Sequence, residues 1–465
     1  MAQKSSCAVR RCPRLPPEHG DLPVTSVLVG VDVGTTRVKA VATDSDLHVL
    51  GEHAVLTPWR HEGATAEVDP TALATATVEA AAGAARAAGG RAISVGVTGM
   101  SETGVLLDRH GAPVGPAMAW YDPRGDSETV REHLGDDAYR RTAGRTIDAV
   151  SSLPKVLWLR RHVEETRQAV RFLSVPEWTV HSLGGEQVNE LSLVSRTGLF
   201  DVPSKTPWLD ALALLDAGAS FLGEIVSAGQ RVGRVHDSAP EELRGAVLTV
   251  AGHDHQTAAF ALGAAVDGAL FDSLGTAEAL VRTVRAPLPS DSIDRLAAGH
   301  VTTGWGVVPG HLCLLAGLPT GISLERVGAM VGAPTPTERI ELGRRALATN
   351  RSATAMRVSA TYHGLTLHDV DDEADPALVW RVVVEDITTD AARIVETITA
   401  EAGAHREVIV AGGWLHNPMV RAVKESQYGS FGTRAMAEPG AVGAAEMAGI
   451  AAGVVSPRWL DDLPT

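Results

Sequence analysis

The sequence predicts an α/β protein made of two similar halves. Its 465 residues leave room for a sizeable core, and a chain of this length usually forms two or more domains. Apolar segments with strand character alternate along the chain with alanine-rich helical segments. The order of a strand, an acidic residue, a glycine turn and a helix in the first half recurs loosely in the second, which favours two related α/β halves.

The first half begins with a buried strand. The run VLVGVDV over residues 27–33 is apolar except for Asp32, and the segments VKAVATD and HVLGEHAVLT predict neighbouring strands of a meander. The alanine-rich stretch from Asp69 to Gly90 predicts a helix with Asp69 as its N-cap. The strand AISVGVTG comes next, and SSLPKVLWLRR predicts a helix that begins near Leu153.

The second half repeats this order of elements. The strand AVLTVAG is followed by Asp254 and an alanine-rich helix, and DSLGTAEALV predicts a strand with a glycine-threonine turn. Residues 331–358 predict a short helix between polar linkers, and residues 380–403 predict a long amphipathic helix. The chain then gives the strand and glycine turn EVIVAGG, a further helix, and the small-residue helix PGAVGAAEMAGIAAGV.

The composition argues against several classes of function. The 41 Lys+Arg and 56 Asp+Glu give a formal net charge of -15, which disfavours nucleic acid and anionic membranes as partners. No stretch approaches the roughly 18 uninterrupted apolar residues of a membrane span, so we expect a cytoplasmic protein. Three cysteines exclude a disulfide framework.

Both ends of the chain are predicted to lie outside the folded part. Residues 1–24 mix arginine, proline and cysteine but lack the continuous apolar stretch of a secretion signal. They therefore predict a disordered tail, and residues 457–465 are predicted to form a short C-terminal tail.

Three glycine turns follow predicted strands. They cover Asp32 to Thr36, Ser273 to Thr276 and Ala411 to Gly413. Glycine lets backbone N–H groups approach a phosphate and threonine adds uncharged donors, although turn chemistry alone also selects these residues. The first turn carries a carboxylate at a strand end, where open α/β sheets bind ligands. None of the turns fits the P-loop or dinucleotide fingerprint, so phosphate binding must use another architecture.

Seven motifs follow one another from residue 25 to about residue 456. They are GVDVGTTRVKAV, GVTGMSETGVLLDRHGAPVGPAMAWYDPR, SSLPKVLWLR, VSRTGLFD, VAGHDHQTAAFALGA, DSLGTAEAL and VIVAGGWLHNP. In this order they resemble the FGGY carbohydrate kinases, which include xylulokinases, glycerol kinases and fuculokinases. The resemblance implies two ribonuclease H-like domains of the actin and hexokinase superfold, with an interdomain cleft.

The resemblance also implies how the chain is divided. It assigns sugar binding to a domain over residues 25–262 and nucleotide binding to a domain over residues 263–456. The second domain is expected to be shortened, because the family's Gly-Glu-Arg segment is missing from residues 325–361. A further departure is Trp414, which stands in place of the third family glycine.

The resemblance implies a phosphoryl-transfer site with ATP and Mg²⁺. Asp254 in AGHDHQ matches the family's catalytic base, which accepts the proton of the acceptor hydroxyl. Asp32 matches the acid that holds Mg²⁺, a metal that keeps several waters and needs only one or two carboxylates. The residues assigned to ATP are Gly34, Thr35, Thr36, Lys39, Gly275, Thr276, Gly412, Gly413 and Asn417.

Substrate contacts are expected mainly from the first domain, for a ketose or a short polyol. Glu102-Thr103 resembles the Arg-Glu-Thr of glycerol kinases without its arginine. A carboxylate at Glu102 accepts hydrogen bonds from adjacent hydroxyls and disfavours a carboxylate on the substrate. Trp120, Asp122 and Arg124 fit the family's Trp-x-Asp-x-Arg pattern. The substrate-binding residues are predicted to be Glu102, Thr103, Trp120, Asp122, Arg124, Asp254 and Gln256.

Several alternatives remain open at this point. Asp254 is alternatively the cap of the following helix, Glu102 a solvated loop charge, and His253 and His255 part of a zinc site. For the whole protein, the alternatives are a sugar-independent ATPase of the same superfold and a catalytically weak sugar-binding regulator. The Trp-x-Asp-x-Arg pattern argues against the first, and the presence of both Asp32 and Asp254 argues against the second. A homodimer is the assembly that we consider.

Overall fold

The computed structural model describes residues 25–361, 364–371 and 373–460. The predicted disordered tail, which includes Cys7 and Cys12, and residues 461–465 of the predicted C-terminal tail lie outside these ranges. Within the described ranges, none of the helices combines the length and apolar character that a membrane crossing requires.

The first half of the described chain is a mixture of strands and helices in the predicted order. Its strands are β1 (Thr25–Val33), β2 (Arg37–Thr43), β3 (Val49–Leu56), β4 (Arg60–Glu62), β5 (Thr65–Val68), β6 (Gly90–Gly99), β7 (Gly104–Leu107), β8 (Ala117–Met118), β9 (Arg171–Ser174), β10 (Val188–Glu190), β11 (Phe200–Asp201), β12 (Thr206–Pro207), β13 (Glu224–Val226), β14 (Arg231–Arg234) and β15 (Val247–His253). Its helices are α1 (Pro70–Ala87), α2 (Ser127–Leu134), α3 (Asp136–Ala143), α4 (Ser152–His162), α5 (Val175–Ser182), α6 (Leu191–Val194), α7 (Leu209–Ala213) and α8 (Asp254–Ala261).

The main sheet of this half has the strand order β14-β15-β6-β1-β2-β3. As predicted, β1, β2 and β3 form an antiparallel meander, whereas β1, β6 and β15 are parallel. Asp69 caps α1 as predicted, because its carboxylate accepts a hydrogen bond from the N–H of Thr71 at 2.8 Å. The helix predicted to start near Leu153 starts one residue earlier, at Ser152.

The second half has fewer elements. Its strands are β16 (Ala269–Leu274), β17 (Glu278–Arg285), β18 (Thr302–Trp305), β19 (His311–Leu318), β20 (Arg357–Ala360), β21 (Leu365–His368), β22 (Glu407–Ala411) and β23 (Gly432–Thr433). Its helices are α9 (Ser290–Ala298), α10 (Thr320–Met330), α11 (Pro336–Leu347), α12 (Pro376–Ala402), α13 (Pro418–Tyr428) and α14 (Pro439–Ala452).

Five strands of each main sheet share one topology, and the sixth strand lies at opposite edges, with β14 beside β15 in the first sheet and β18 beside β19 in the second. The second sheet has the order β18-β19-β17-β16-β22-β23, in which β16 and β17 form an antiparallel hairpin and β16, β22 and β23 are parallel. The β16–β17 hairpin therefore corresponds to the β1–β2 hairpin. The glycine turns at residues 34–36 and 275–277 occupy equivalent places, which confirms the prediction of two similar halves.

The last helix returns to the first half. The predicted division places α14 after residue 263, yet α14 packs on the face of β1, β6 and β15 opposite to α1. Glycines on the strands permit this contact: a Cβ added to Gly30 would lie 1.9 Å from the carbonyl oxygen of Ala441, and one added to Gly96 would lie 2.2 Å from that of Ala444. The small residues of α14 thus complete the core of the first sheet.

Candidate active site

Asp32 and Asp254 lie where three parallel strands end. Asp32 is the penultimate residue of β1, and Asp254 directly follows the last residue of β15. Between them runs β6, whose Thr98 pairs with Asp32 on one side and with Gly252 on the other. Both carboxylates therefore stand at one edge of the sheet, the edge at which open α/β sheets bind ligands.

Asp254 is an ionised carboxylate that solvent can reach. Its side chain is 27% exposed, and Nδ1 of His253 lies 2.9 Å from its Oδ1, out of line for a hydrogen bond. The backbone N–H of His255 donates to the same oxygen at 2.6 Å. Burial raises the pKa of Asp254, but His255 and His253 lower this pKa by more, so it lies well below its usual range. Helix α8 begins at Asp254 with His253 as its N-cap residue, so Asp254 is not the cap of this helix.

Side chains that sequence reasoning missed hold the backbone just before this acid. Thr98 donates to the carbonyl of Gly252 at 2.6 Å, and the N–H of His253 donates to Oγ of Ser192 at 3.0 Å. Ser192 in turn donates at 2.5 Å to Glu190, which is fully buried and whose pKa burial raises to about 7. The motif VSRTGLFD begins two residues after Ser192, but a linear pattern does not indicate which strand end Glu190 and Ser192 meet.

Asp32 offers a carboxylate oxygen with no hydrogen-bond donor. Its Oδ1 is buried and accepts no hydrogen bond among the described residues. Burial and the charge of Asp254 raise the pKa of Asp32 to about 8, and Lys39 opposes this rise. A Cβ added to Gly440 at the start of α14 would lie 2.6 Å from Oδ2 of Asp32. A buried carboxylate oxygen that accepts no hydrogen bond fits a ligand of Mg²⁺, which Asp32 would hold.

Gly440, which lies beside Asp32, provides a test of this assignment. We expect Gly440→Ala to raise the Mg²⁺ concentration needed for half-maximal ATP-dependent activity about tenfold, because the new methyl group would crowd Oδ2 of Asp32. A Mg²⁺ titration of activity and of the thermal midpoint measures the effect. Gly449→Ala in the same helix is the control, since its methyl group would meet Val455 and Leu28. Equal Mg²⁺ requirements in the two variants would contradict the assignment.

The first glycine turn is held by the segment after β3. The N–H of Gly34 donates to the carbonyl of Arg37 at 3.2 Å, which closes the hairpin. The carbonyl of Gly34 accepts from the hydroxyl of Thr57 at 2.8 Å, and the carbonyl of Thr35 accepts from Nε1 of Trp59 at 2.6 Å. These bonds fix the turn in one conformation next to Asp32.

Thr36 and Lys39 complete the residues predicted on this side. Thr36 is exposed, and its carbonyl accepts from the N–H of Thr57 at 3.1 Å. Lys39 lies directly opposite Asp32 in the β1–β2 pairing, and its Nζ is 2.8 Å from Oε2 of Glu438. Glu438 precedes α14, so this ion pair ties the start of the last helix to the first hairpin.

Glu102 is the centre of a buried ionic cluster. Nε and Nη2 of Arg196 both lie 2.7 Å from its Oε1, Nη1 of Arg145 lies 3.5 Å away, and Ser101 donates to Oε2 at 2.6 Å. Burial raises the pKa of Glu102, but Arg196 and Arg145 lower it to about 2. The alternative of a solvated loop charge is therefore wrong, because the side chain is only 8% exposed.

The cluster also corrects the expectation about substrate charge. Arg145 and Arg196, which sequence reasoning missed, place two positive charges beside Glu102. Because they neutralise Glu102, this acid no longer disfavours a carboxylate on the substrate. Arg145 further contacts Asp148, with Nη2 at 3.2 Å from Oδ1.

The Trp-x-Asp-x-Arg residues lie beside the first turn and bind mainly to one another and to the protein. Nε1 of Trp120 donates to the hydroxyl of Thr35 at 2.9 Å. Asp122 is buried, and both its carboxylate oxygens accept from Arg124, at 2.6 and 3.0 Å, while Oδ2 also accepts from the N–H of Ala66 at 2.8 Å. Through these hydrogen bonds, Asp122 and Arg124 fix the conformation of the loop that carries Trp120.

Lys155 binds the same loop, and sequence reasoning did not identify it. Its Nζ donates to the carbonyl of Asp122 at 2.7 Å and to that of Ala149. Burial lowers the pKa of Lys155 to about 8, and Asp122 and Asp148 oppose this. A buried ammonium bound to two carbonyls fixes the relative position of the two loops that carry them.

Thr103 and Gln256 differ in how their polar atoms are used. The hydroxyl of Thr103 is buried and has no hydrogen-bond partner among the described residues, so it can accept or donate to a ligand. Oε1 of Gln256 accepts from the N–H of Val307 at 3.1 Å, and Gln256 is 4% exposed. Gln256 thus links α8 to the second half.

The second glycine turn meets two other segments of the second half. The N–H of Ile322 in α10 donates to the carbonyl of Thr276 at 2.7 Å. A Cβ added to Gly321 would lie 2.0 Å from the carbonyl oxygen of Gly275 and 2.7 Å from Nε1 of Trp414. Gly412 has φ +122°, and a Cβ there would lie 2.2 Å from the carbonyl oxygen of Leu274.

Asn417, predicted to contact ATP, has its side chain engaged by the protein. Its Oδ1 accepts from the N–H groups of Met419 and Val420 at 3.1 and 3.3 Å and so caps α13, while its Nδ2 donates to the carbonyl of Arg339 at 2.7 Å. The ring of Trp414 lies 6.3 Å from that of Trp380 and 5.2 Å from the guanidinium carbon of Arg339. A Cβ added to Gly413 would meet no atom within 4 Å.

The zinc alternative finds no support around Asp254. The rings of His253 and His255 lie 5.7 Å apart. Over the ranges that the structure describes, the one group of three side chains with metal-ligand spacing is Asp44, Asp46 and His48, in the exposed turn after β2.

Comparison with known proteins identifies relatives across most of the chain. The profile of the FGGY family of carbohydrate kinases, N-terminal domain, matches residues 27–261. A glycerol kinase of Aromatoleum aromaticum is 28% identical over 467 residues, which cover 93% of this chain and 91% of that protein.

Solved structures with the same fold include several sugar kinases. A ligand-bound xylulose kinase from Lactobacillus acidophilus gives a TM-score of 0.83 at 16% identity, covering 92% of this chain and 90% of that one. A Plasmodium falciparum glycerol kinase with ADP gives 0.81 at 16% identity, covering 94% and 92%. These likenesses confirm the predicted two-domain fold of the actin and hexokinase superfold.

Proposed function

The chain belongs to the FGGY family of carbohydrate kinases, and from this premise we propose that it transfers the γ-phosphoryl group of ATP to a hydroxyl of a ketose or a short polyol. The family makes the protein a phosphotransferase with an alcohol group as acceptor. One observation supports the assignment of the site. Asp254, which is ionised, and Asp32, whose Oδ1 accepts no hydrogen bond among the described residues, stand at one edge of the first sheet.

In this proposal Asp254 is the general base that accepts the proton of the acceptor hydroxyl. The acceptor hydroxyl lies against its carboxylate, and as the bond from that oxygen to the γ-phosphorus forms, the bond to the β,γ-bridging oxygen breaks and ADP leaves. The hydroxyl proton passes to Asp254, whose pKa well below its usual range keeps it ionised beforehand. Thr98, Ser192 and Glu190 hold the backbone that aims this carboxylate.

Asp32 would hold Mg²⁺ on the nucleotide side. When bound, Mg²⁺ neutralises negative charge on the β- and γ-phosphoryl oxygens. The turns at residues 34–36 and 275–277 supply backbone and threonine donors to the phosphates, and Gly412 and Gly413 admit the nucleoside. Asn417 shapes this loop as the cap of α13.

The sugar side is proposed to lie in residues 25–262 and the nucleotide side in residues 263–456, across the cleft. Thr103 supplies a buried hydroxyl, and Trp120 supplies an apolar surface for a sugar. Glu102, with Arg145 and Arg196, supplies charged groups that can bind polar groups of the substrate. The names of the relatives, glycerol kinase and xylulose kinase, support a polyol or ketose as acceptor.

A panel assay tests the proposed function. We expect Mg·ATP to yield ADP only with an acceptor of the right class, in a panel of glycerol, longer polyols, ketoses, aldoses and sugar acids. Sugar acids belong in the panel because Arg145 and Arg196 neutralise Glu102. The Asp254→Asn protein is the negative control. ADP release that is equally fast with and without every acceptor would instead indicate a sugar-independent ATPase.

A further inference from the structure

A buried ionic cluster lies in the second half, apart from Asp32 and Asp254. Nζ of Lys424 is 2.7 Å from Oδ2 of Asp272 and 2.5 Å from Oε1 of Glu278. The hydroxyl of Tyr428 donates to Asp272 at 2.8 Å, and that of Thr320 donates to Glu278 at 2.5 Å. We refer to these five residues as the Lys424 cluster.

The charged members of the cluster are almost completely removed from solvent. The side chain of Lys424 is 1% exposed, and those of Asp272 and Glu278 are 0% exposed. Burial and the charge of Asp272 raise the pKa of Glu278 to about 7, against the effect of Lys424. Buried ion pairs are often no more stabilising than apolar residues of the same volume, so stability alone gives a weak reason for this cluster.

The position of the cluster suggests a different reason. Asp272 and Glu278 lie on β16 and β17, on either side of the turn that contains Gly275 and Thr276. Thr320 is the first residue of α10, the helix whose next residues contact this turn.

The two remaining members connect the cluster to the loop that contains Gly412 and Gly413. Lys424 and Tyr428 lie on α13, which follows the loop of Gly412 and Gly413. The cluster therefore joins, beneath the surface, the two segments of this half that we assign to the nucleotide, the second glycine turn and the loop of Gly412 and Gly413, with the start of α10, which contacts that turn.

We propose that Lys424, through Asp272 and Glu278, is a positioning residue for the nucleotide: it holds the second glycine turn, the double-glycine loop and the start of α10 in the arrangement that binds ATP. This inference rests on the proposed kinase function. The sequence alone gives no sign of it, because Lys424 is 146 residues from Glu278.

Substitutions of different severity test the role. Lys424→Met removes the ammonium, whereas Tyr428→Phe and Thr320→Val each remove one hydroxyl donor and preserve the ion pairs. Glu446→Gln is the control, because Glu446 is an equally buried carboxylate on α14 that pairs with Arg458, away from the second turn. The measurements are the KM for Mg·ATP, the KM for the acceptor, ADP affinity by calorimetry, and amide hydrogen exchange of residues 273–277 and 319–322 without ligand.

We expect Lys424→Met to raise the KM for Mg·ATP about tenfold and to leave the KM for the acceptor unchanged. The reason is that the substitution removes a group that orients the nucleotide-binding segments and does not contact the acceptor. Amide exchange in the two segments should become faster. Tyr428→Phe and Thr320→Val should change both quantities in the same direction by smaller amounts. Glu446→Gln should lower the thermal midpoint without changing nucleotide affinity.

The outcomes separate this inference from the proposed function. Unchanged ADP affinity in all three cluster variants, with normal ADP binding by the unsubstituted protein, would overturn the inference alone. Absence of nucleotide binding by the unsubstituted protein would overturn both. If Lys424→Met does not fold, the two hydroxyl variants decide, because they leave every charge of the cluster paired.

Discussion

The Asp254→Asn protein should fold, bind its acceptor and lose phosphoryl transfer by about 10²-fold to 10⁴-fold, the range that general-base catalysis contributes. Asparagine has the shape of aspartate but does not accept a proton from the acceptor hydroxyl at neutral pH. The carboxylate at this position is ionised, because His255 and His253 hold its pKa well below the usual range. The loss should therefore appear in kcat, with little change in the KM of the acceptor.

Steady-state kinetics of ADP release and calorimetry of acceptor binding make this measurement. Asp294→Asn is the matched control, since Asp294 is a partly buried acid of α9 that pairs with Arg140 at 2.7 Å, away from the strand ends. Near-normal turnover in Asp254→Asn would remove this residue from the mechanism and with it the main support for the assigned site.

The second large effect is expected at Asp32. We expect Asp32→Ala to lower turnover about 100-fold at ordinary Mg²⁺ concentrations and to weaken productive use of Mg·ATP, because the carboxylate assigned to the metal is gone. Acceptor affinity should stay the same. The apo protein should be at least as stable as the unsubstituted one, because the substitution removes a buried carboxyl group whose ionisation burial and Asp254 disfavour.

Kinetics at varied Mg²⁺, acceptor calorimetry and thermal unfolding together distinguish these effects. Glu241→Ala, which changes an exposed acid in the turn before β15, is the control and should change none of them. A selective loss of acceptor binding in Asp32→Ala would place this acid on the sugar side of the cleft.

Local patterns were sufficient to predict most of the fold. The apolar run of β1, the cap at Asp69 and the long helix α12 depend on residues that are neighbours in sequence, so their signals appear in any short window. The internal similarity was also visible, because each half repeats an acid and a glycine turn beside a strand. Asp32 and Asp254 could be singled out for the same reason.

The surroundings of these acids could not be predicted, because they depend on pairs that are distant in sequence. Arg196 is 94 residues from Glu102, and although it lies in the motif VSRTGLFD, nothing in that motif indicates this partner. Nor does a motif reveal whether a polar side chain is already satisfied. Asp122 and Asn417 match family positions, yet Arg124 and the start of α13 occupy their polar atoms.

The return of α14 to the first sheet has a consequence for synthesis of the protein. A ribosome releases the strands β1, β6 and β15 long before residues 439–452, yet these residues cover one face of those strands. Until then the apolar side chains of Leu28 and Val41 lack their partners Ala441 and Ala445. The half that is made first is thus completed last, and a nascent chain that stops short of α14 exposes a ready surface for chaperones or for aggregation.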